Sequence, residues 1–375
     1  VSDAADVLQA VSLVRSAAER SRDLVIGYGE LWSCRLLAAY LAHRNSDDLD
    51  IDWIDARELI TIRHTEMGPA VMWPVSRERA AGLFTAGGQR IRVVTGFIAS
   101  DEDGLQTTLG RNGSDYSASI VAALIGASRI SIWTDVDGVM SADPNRVPEA
   151  TIIGDLSYSE AMELAYFGAK VIHPQTMSPA IENDIPIWIR NTFDPSVRGS
   201  CIGRHTSDEA SIKGITSVDH VALVNLEGAG MIGVPGTADR LFGALRNASI
   251  SVILISQASS EHSICFAVPA AAAERVGEVV SKAFDGELEQ GLIQRVDVRR
   301  DCAIVAVVGD GMAGIPGIAA RFFETLGNAG INVRAIAQGS SERNISAVID
   351  REDATRALRA AHAGFYLSAN TISVG

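Results

Sequence analysis

Residues 107–115, TTLGRNGSD, hold the densest set of side chains in this chain that could do chemistry. They form a loop of small residues leading into a helical pattern, and backbone N–H groups at such a place are free to bind an anion. Arg111 could bind a carboxylate through two parallel hydrogen bonds, and Asp115 could hold an ammonium group. The alternative is a solvated turn in which Ser114 or Asp115 only caps the helix.

Other polar groups stand beside apolar stretches. Thr134 and Asp135 follow a predicted strand, and ligands bind at the carboxyl edge of a parallel sheet; the alternative is an ordinary Asp-Gly turn. Lys170, one of three lysines in the chain, could bind a phosphate, or it extends from a helix end into water. Glu30 could bind a substrate, or it complements the dipole of a helix predicted to begin beside it.

The composition argues against several classes of function. The chain has 375 residues, which predicts two or three domains, and its net charge of −14 argues against a nucleic-acid partner. No run reaches the roughly 18 apolar residues of a membrane helix, so we expect no membrane partner. The four cysteines form no CxxC pair, which favours reduced thiols in the cytoplasm over disulfides or zinc. No His or Cys cluster has metal-ligand spacing, so no metal site is predicted.

The first half of the chain alternates between helical and extended patterns. Apolar spacing predicts helices over residues 7–18, 31–41 and 117–127, and strands over residues 24–26, 92–97 and 130–133. A polar loop is expected over residues 100–115. This alternation predicts a parallel α/β domain that ends near residue 210.

The second half contains an internal repeat with a spacing of 81 residues. GAGMIGVPG at residues 228–236 returns as GDGMAGIPG at 309–317, and ISQASSE at 255–261 returns as IAQGSSE at 336–342. The pattern of each copy predicts a ferredoxin-like β-α-β-β-α-β unit. We therefore predict three domains, over residues 1–210, 211–298 and 299–375.

Taken together, these stretches resemble the aspartate kinases of the amino-acid kinase family. TTLGRNGSDYSA, WTDVDGV with ADP after it, ELAYFGAKVIHP and ISQASSEHSICFAVP occur in that family's order and spacing. The variants resemble the bifunctional branch, aspartokinase–homoserine dehydrogenase, and residues 356–375 resemble the linker before its dehydrogenase domain. The resemblance implies an αβα kinase sandwich followed by two ferredoxin-like ACT units, the kinase and regulatory half of that branch.

The same resemblance implies phosphorylation of the side-chain carboxylate of L-aspartate by ATP, with Mg²⁺ bound mainly by the nucleotide phosphates. The residues it implies for aspartate are Glu30, Arg111, Ser114 and Asp115. The residues it implies for the nucleotide are Thr134, Asp135 and Lys170. Among these, Arg111, Asp115 and Lys170 are the expected catalytic residues.

Three features depart from the family pattern. The family opens with a strand and a Lys-Phe-Gly-Gly-Thr-Ser loop, whereas this sequence starts at Val1, and residues 20–23 look short of a further strand and loop. Met140 and Asn145 stand where tyrosine and arginine are common. Without the opening motif we expect a poor kinase, which leaves open a catalytically inactive amino-acid sensor. A different amino-acid kinase is the other alternative, although those relatives usually lack ACT domains.

The repeated half resembles paired ACT domains, which bind amino acids and control the kinase. Gln257 and Gln338 match that family's effector glutamines, with Ile255 and Ile336 beside them. Threonine is the usual effector of the bifunctional branch, and lysine is the main competing effector. The alternative is that both glutamines only cap a strand end. Because the family pairs these domains between subunits, the resemblance also implies a homodimer or homotetramer.

Overall fold

The structure is a computed structural model and describes residues 2–16, 18–45, 49–65, 68–84, 90–166, 173–204, 210–257 and 262–365. Lys170, a predicted phosphate ligand, therefore lies outside the described residues. The helices are α1 (Ser2–Val14), α2 (Glu19–Arg44), α3 (Ala56–Leu59), α4 (Trp73–Leu83), α5 (Gly113–Ile125), α6 (Tyr158–Tyr166), α7 (Pro174–Glu182), α8 (Thr237–Asn247), α9 (Ala273–Ala283), α10 (Asp285–Glu289), α11 (Ile318–Asn328) and α12 (Ala354–Gly364). The strands are β1 (Asp50–Ile54), β2 (Ile62–Thr65), β3 (Gly68–Val71), β4 (Arg90–Val94), β5 (Ile98–Ser100), β6 (Gln106–Thr108), β7 (Ile130–Thr134), β8 (Asp155–Ser157), β9 (Ile187–Asn191), β10 (Ser200–Gly203), β11 (Gly214–Glu227), β12 (Leu254–Gln257), β13 (Ser263–Pro269), β14 (Arg295–Val308), β15 (Ala335–Gln338) and β16 (Asn344–Asp350).

The chain divides into two compact units. The first unit comprises residues 1–135, 172–195 and 201–204, and the second comprises residues 136–171, 196–200 and 205–375. The chain therefore leaves the first unit directly after Asp135 and re-enters it at residue 172. The domain boundaries at residues 210 and 298 stay predictions. Within the described ranges, no helix is both long and apolar enough to cross a bilayer.

Parallel strand pairs form the frame of the first unit, and the predicted mixed α/β class is confirmed. β1 pairs with β4 so that Ile54 lies opposite Val94, and β7 pairs with β9 so that Thr134 lies opposite Asn191. Residues that follow these strands stand at the carboxyl ends of parallel pairs, where ligands bind. The helices of this unit bury apolar side chains against the first pair. This core includes Leu31, Ile54, Leu59, Ile60, Ile98 and Ile120.

The predicted strand over residues 24–26 is wrong, because these residues lie inside the helix α2. Glu30 therefore stands in the middle of a helix and not at its beginning. A Cβ at Gly27 would come within 2.2 Å of the Gln106 amide nitrogen, so this glycine lets strand β6 approach the helix closely. Three apolar residues are too few to separate a strand from a helical segment, and the surrounding helical register decides the outcome.

The predicted loop over residues 100–115 is partly regular. Its first half belongs to the hairpin β5–β6, whose turn is closed by Asp101 Oδ1 accepting from the backbone N–H of Asp103 at 3.0 Å and of Leu105 at 2.9 Å. The helix α5 begins at Gly113 and not at residue 117, so Ser114 and Asp115 lie in its first turn. The strand predicted over residues 92–97 ends at Val94.

The second unit places the repeat on one antiparallel six-stranded sheet, in the order β12-β13-β11-β14-β16-β15. The long strands β11 and β14 pair through the middle, and each serves both copies. Residues 295–299 of β14 complete the first copy, and residues 214–218 of β11 complete the second. The predicted β-α-β-β-α-β order is confirmed in the first copy, and in the second copy the sixth strand comes from the beginning of β11.

Candidate functional site

The Arg111–Asp115 stretch forms a tight turn that leads into α5. Asn112 adopts a left-handed conformation with φ 56°, as does Gly110 with φ 75°, and the helix starts at the next residue, Gly113. Ser117 Oγ accepts a hydrogen bond from Phe97 N at 2.9 Å and donates one to Gly113 O at 2.8 Å. The turn is thereby tied to the segment that follows the carboxyl end of β4.

Ser114 lies against that same strand end. A Cβ on Gly96, two residues after β4, would meet Ser114 Oγ at 3.1 Å, so glycine at this position allows the close approach. Asp115 lies one residue further along the helix and is half-buried, and burial raises the pKa of its carboxyl group. The first turn of α5 therefore presents a hydroxyl and a carboxyl beside the end of a parallel strand.

Glu30 is placed by the helix α2, which runs beside β4. The Cys34 thiol donates to Val93 O at 3.1 Å, and Glu30 stands one helical turn earlier on the same face. Burial raises the pKa of Cys34, and the charges of Asp55 and Glu30 raise it further. Burial also raises the pKa of Glu30 itself. Sequence reasoning predicted the residue but not its position within the helix.

Arg111 is exposed and, within the part of the chain that the structure describes, makes no hydrogen bond or ion pair. Arg57, which sequence reasoning missed, differs from Arg111 because its guanidinium is engaged in hydrogen bonds with neighbouring side chains. Its Nε donates to both oxygens of the Asp55 carboxylate, at 2.9 and 3.1 Å, and its Nη1 donates to Gln106 at 2.9 Å. Arg57 therefore serves to fix the turn after β1, whereas Arg111 is available for a carboxylate ligand.

Thr134 and Asp135 lie at the carboxyl end of β7. Thr134 Oγ1 donates to Asp135 Oδ1 at 3.1 Å, and Thr134 O accepts from Thr192 N at 2.8 Å. On the neighbouring strand, the Arg190 guanidinium lies 5.2 Å from the centre of the Trp133 ring, and its buried Nε has no partner among the described residues. Sequence reasoning missed Arg190, which a strand pattern alone does not distinguish from a surface arginine.

The two copies of the repeat each build a cavity at the same place. The first measures about 350 Å³ and the second about 320 Å³. The first is lined by Met231, Gly233, Val234, Pro235, Gly236, Thr237, Ala238, Gln257 and Ile264. The second is lined by Met312, Gly314, Ile315, Pro316, Gly317, Ile318, Ala319, Gln338, Glu342 and Ile345. Every residue of the first set has a counterpart 81 positions later in the second.

Each cavity combines a side-chain amide with the start of a helix. Gly236 (φ 89°) and Gly317 (φ 92°) precede α8 and α11 in left-handed conformations, and the first amides of a helix attract a carboxylate. Gln257 and Gln338 line the two cavities. Ile255 and Ile336 do not; they are 50% and 45% exposed on the edge strands β12 and β15.

The described residues favour neither a metal site nor a disulfide. Over these ranges, no group of three or more His, Cys, Asp and Glu side chains is arranged to hold a metal ion. Within the part of the chain that the structure describes, none of Cys34, Cys201, Cys265 and Cys302 forms a disulfide. Burial raises the pKa of Cys265 to about 11, so this thiol stays protonated near neutral pH.

Comparisons with known proteins agree with this layout. Residues 3–191 match the model of the amino acid kinase family, and residues 224–284 and 305–365 each match an ACT domain model. The bifunctional aspartokinase/homoserine dehydrogenase 1 of Arabidopsis thaliana, a chloroplastic protein, is 46% identical over 98% of this chain. This chain spans 41% of the length of that relative.

Two solved structures of E. coli aspartokinase III are also similar. The R-state complex with aspartate and ADP has a TM-score of 0.77 and 28% identity, covering 97% of this chain and 80% of the other. The T-state complex with lysine and aspartate has a TM-score of 0.74 and the same identity, covering 97% and 79%.

Proposed function

This chain belongs to the aspartokinase group of the amino acid kinase family and carries two ACT domains, and from that premise we propose that it phosphorylates the side-chain carboxylate of L-aspartate with ATP. The product is 4-phospho-L-aspartate, the first intermediate of the pathway from aspartate to threonine, methionine and lysine. The observation that carries the proposal is the turn into α5, where the exposed Arg111, which has no polar partner among the described residues, stands three residues from the first-turn hydroxyl of Ser114.

The aspartate half of the proposed site uses complementary charges. Arg111 binds a carboxylate of the substrate through charge-assisted hydrogen bonds, and the partly buried carboxyls of Glu30 and Asp115 face its ammonium group. Burial raises the pKa of both carboxyl groups, and a bound ammonium group favours their charged forms again. The E. coli aspartokinase III structure with bound aspartate and ADP supports this substrate and the use of ATP.

The nucleotide half of the proposed site stands at the end of β7. Thr134 and Asp135 are the predicted contacts of the nucleotide, and Lys170, which lies outside the described residues, is the predicted ligand of its phosphates. Mg²⁺ would be held mainly by the nucleotide phosphates and by waters, with few ligands from the protein. Phosphoryl transfer then depends on positioning and on positive charge around the moving oxygens.

Replacing Arg111 tests the aspartate site. In the full-length protein, Arg111→Ala should raise the KM for aspartate at least about tenfold, because a hydrogen bond between charged groups is lost, while the KM for ATP changes less than about threefold. Arg129→Ala, at another exposed arginine of the same unit, is the matched control and should change neither. Equal rises of both constants in steady-state kinetics would contradict the assignment.

The two cavities support feedback control by an amino acid. A carboxylate fits the helix starts at α8 and α11, and Gln257 or Gln338 fits a polar side chain or ammonium group. We propose threonine as the effector, with lysine, which E. coli aspartokinase III binds in its T-state, as the competing ligand. Isothermal titration with both amino acids decides between them, and heat from lysine with none from threonine would refute the choice.

We also propose a homo-oligomer in the cytoplasm. Ile255 and Ile336 support the first part, because two half-exposed isoleucines stand on strands joined by the hydrogen bond from Ser256 Oγ to Ile336 O at 2.8 Å. Such an apolar patch is typical of a subunit contact. Light scattering should give a dimer or tetramer for the wild type and a smaller species for Ile255→Asp.

A further inference from the structure

Residues 136–166, which continue the chain directly from Asp135, fold with the second unit and not with the first. Their apolar side chains enter the core of the second copy of the repeat. Ala142 and Val147 are 4% and 1% exposed there, in the same cluster as Phe322 and Ala347. The predicted aspartate ligands, by contrast, all belong to the first unit. The segment that follows the predicted nucleotide contacts is thus built into the regulatory half.

Ser141 anchors the beginning of this segment. Its carbonyl oxygen accepts from Ile215 N at 2.8 Å, and its hydroxyl lies 2.9 Å from His362 Nε2 on α12. The same hydroxyl accepts from Thr151 N at 2.9 Å. Ser141 is 3% exposed and His362 is 1% exposed, so water does not compete for these bonds.

Arg146 adds a second anchor nearby. Its guanidinium donates to both carboxylate oxygens of Asp219, at 3.2 and 3.0 Å, to Ser217 Oγ at 2.9 Å and to Thr355 Oγ1 at 3.0 Å. In return, Arg359 Nε donates to the carbonyl oxygen of Arg146. One side chain therefore holds the segment to β11 and α12 together.

Glu160 anchors the end of the segment with a buried carboxylate, 1% exposed. It forms a capping box with Ser157, because Glu160 Oε2 accepts from Ser157 N at 2.9 Å and Ser157 Oγ accepts from Glu160 N at 3.0 Å. Its other oxygen, Oε1, accepts from Asp310 N at 2.8 Å. One carboxylate thus starts the helix α6 and binds the loop that lines the Gln338 cavity.

In the first copy of the repeat, the equivalent loop amide is bonded to a residue of the same copy. This amide, Ala229 N, donates to Gln294 Oε1 at 3.2 Å, and Gln294 belongs to the connection into β14. Two further bonds reinforce the contact in the second copy. Asn344 Nδ2 donates to Glu163 Oε2 at 2.7 Å, and Arg343 Nη1 donates to Ser159 Oγ at 3.3 Å.

We propose that Glu160 is a positioning residue through which effector binding reaches the nucleotide half of the active site. The inference rests on the proposed function. A ligand that changes the loop over residues 309–317 changes the position of the Asp310 amide, and the buried Glu160 carboxylate carries that change into α6 and the segment before it. Inhibition then acts on ATP and leaves aspartate binding nearly unaffected, since an effector shifts only those equilibria whose two states it binds differently.

The test is Glu160→Gln in the full-length protein. A glutamine keeps the size but offers one acceptor oxygen to two N–H donors, so the bond to Asp310 is lost or weakened. The factor by which saturating threonine raises the KM for ATP should fall about tenfold, towards one, whereas threonine affinity measured without substrates should change less than about threefold. The KM for aspartate should stay within about twofold. Gln294→Ala, at the equivalent bond of the first copy, is the matched control and should retain inhibition.

A second variant removes the donor instead of the acceptor and keeps the test valid if Glu160→Gln folds poorly. Asp310→Pro deletes the N–H at the first position of a 3₁₀ turn, where proline is tolerated. It should uncouple inhibition as Glu160→Gln does. If both variants keep wild-type inhibition and an unchanged ATP dependence, the proposed role of Glu160 is overturned, whereas the proposed kinase function is not affected. A wild-type protein that binds no threonine would instead overturn the proposed effector, and with it this inference.

Discussion

The two copies of the repeat build matching cavities but attach them to different parts of the chain. In the first copy the loop amide of Ala229 is bonded to Gln294, which lies in the adjoining connection. In the second, the amide of Asp310 is bonded to Glu160, which lies 150 positions earlier in the sequence. The repeated sequence therefore determines the shape of each cavity. The residue bonded to the loop amide determines which part of the chain a ligand in that cavity can affect.

The cores of the two copies show how the shape is kept while residues change. The first core places Leu241 on its helix against Phe266 on its strand, and the second places Phe322 and Ala347 at those two positions. All four side chains are fully buried. The large ring moves from the strand to the helix, and the second pair is smaller by the difference between a leucine and an alanine, so other side chains of that close-packed core fill the remaining volume.

The largest effect we predict is a loss of stability, and it tests whether the loops of the two copies are structurally equivalent. Gly228 and Gly309 begin the two loops, and a Cβ would lie 2.5 Å from Leu292 O in the first and 2.3 Å from Ser211 O in the second. Backbone atoms cannot move aside easily, so Gly228→Ala and Gly309→Ala should each lower the free energy of unfolding by about 3 kcal/mol. Chemical denaturation measures both losses.

The controls are glycines with open surroundings. Gly243 on α8 and Gly327 on α11 have no described atom within 4 Å of a new Cβ, so alanine there should stabilise each helix by about 0.5–1 kcal/mol. A neutral Gly309→Ala together with a costly Gly228→Ala would break the structural equivalence of the two loops.

A smaller predicted effect concerns threonine affinity and tests each cavity as a ligand site on its own. Gln257→Ala and Gln338→Ala should each weaken threonine binding at their own cavity about tenfold, because a buried polar ligand loses one partner at a cost of about 1–3 kcal/mol. Uninhibited activity should stay nearly constant. The two losses need not be equal, since Thr237 in the first cavity is replaced by Ile318 in the second. Titration calorimetry that finds neither variant impaired would refute both sites.

Much of this layout could be predicted from the sequence because it depends on local patterns. The 81-residue spacing correctly relates Gln257 to Gln338, and it holds for every lining residue of the first cavity. The small residues around Arg111 correctly indicate a turn before a helix. The turn is encoded within a dozen neighbouring residues, where conformational preferences of glycine and apolar periodicity dominate, and the repeat is visible because short stretches recur at one constant spacing.

The parts that could not be predicted depend on distant partners. Ser157 and Glu160 form a capping box at the start of α6, and such a local pattern says nothing about the second bond of the Glu160 carboxylate, to a loop 150 positions later. The strand expected over residues 24–26 failed for a related reason. Residues 24–26 lie inside a long helix, and neither that register nor the close approach of Gln106 to Gly27 can be read from three apolar residues.

The smallest effect we predict concerns the second helix of each copy. His362 on α12 is buried against Ser141, and its equivalent on α9 is Ser281, which does not titrate near neutral pH. Burial lowers the pKa of His362, and the weaker influence of Glu149 opposes it. The imidazole therefore stays neutral in the folded protein at pH values where the unfolded chain, with a pKa of about 6.5, already binds a proton.

The sign of the pH dependence follows from that difference. Above pH of about 6.5 the contribution of His362 to stability is fully present, and it is lost as the pH falls towards the lower folded-state value, by at most about 1.4 kcal/mol per pH unit. His362→Gln removes the titrating group, so its free energy of unfolding should fall less steeply between about pH 6.5 and pH 5 than that of the wild type. Urea denaturation across this range measures both slopes. Parallel slopes would mean that the ring titrates alike in the folded and unfolded protein, and the neutral bond between α12 and the segment after Asp135 would have to be abandoned.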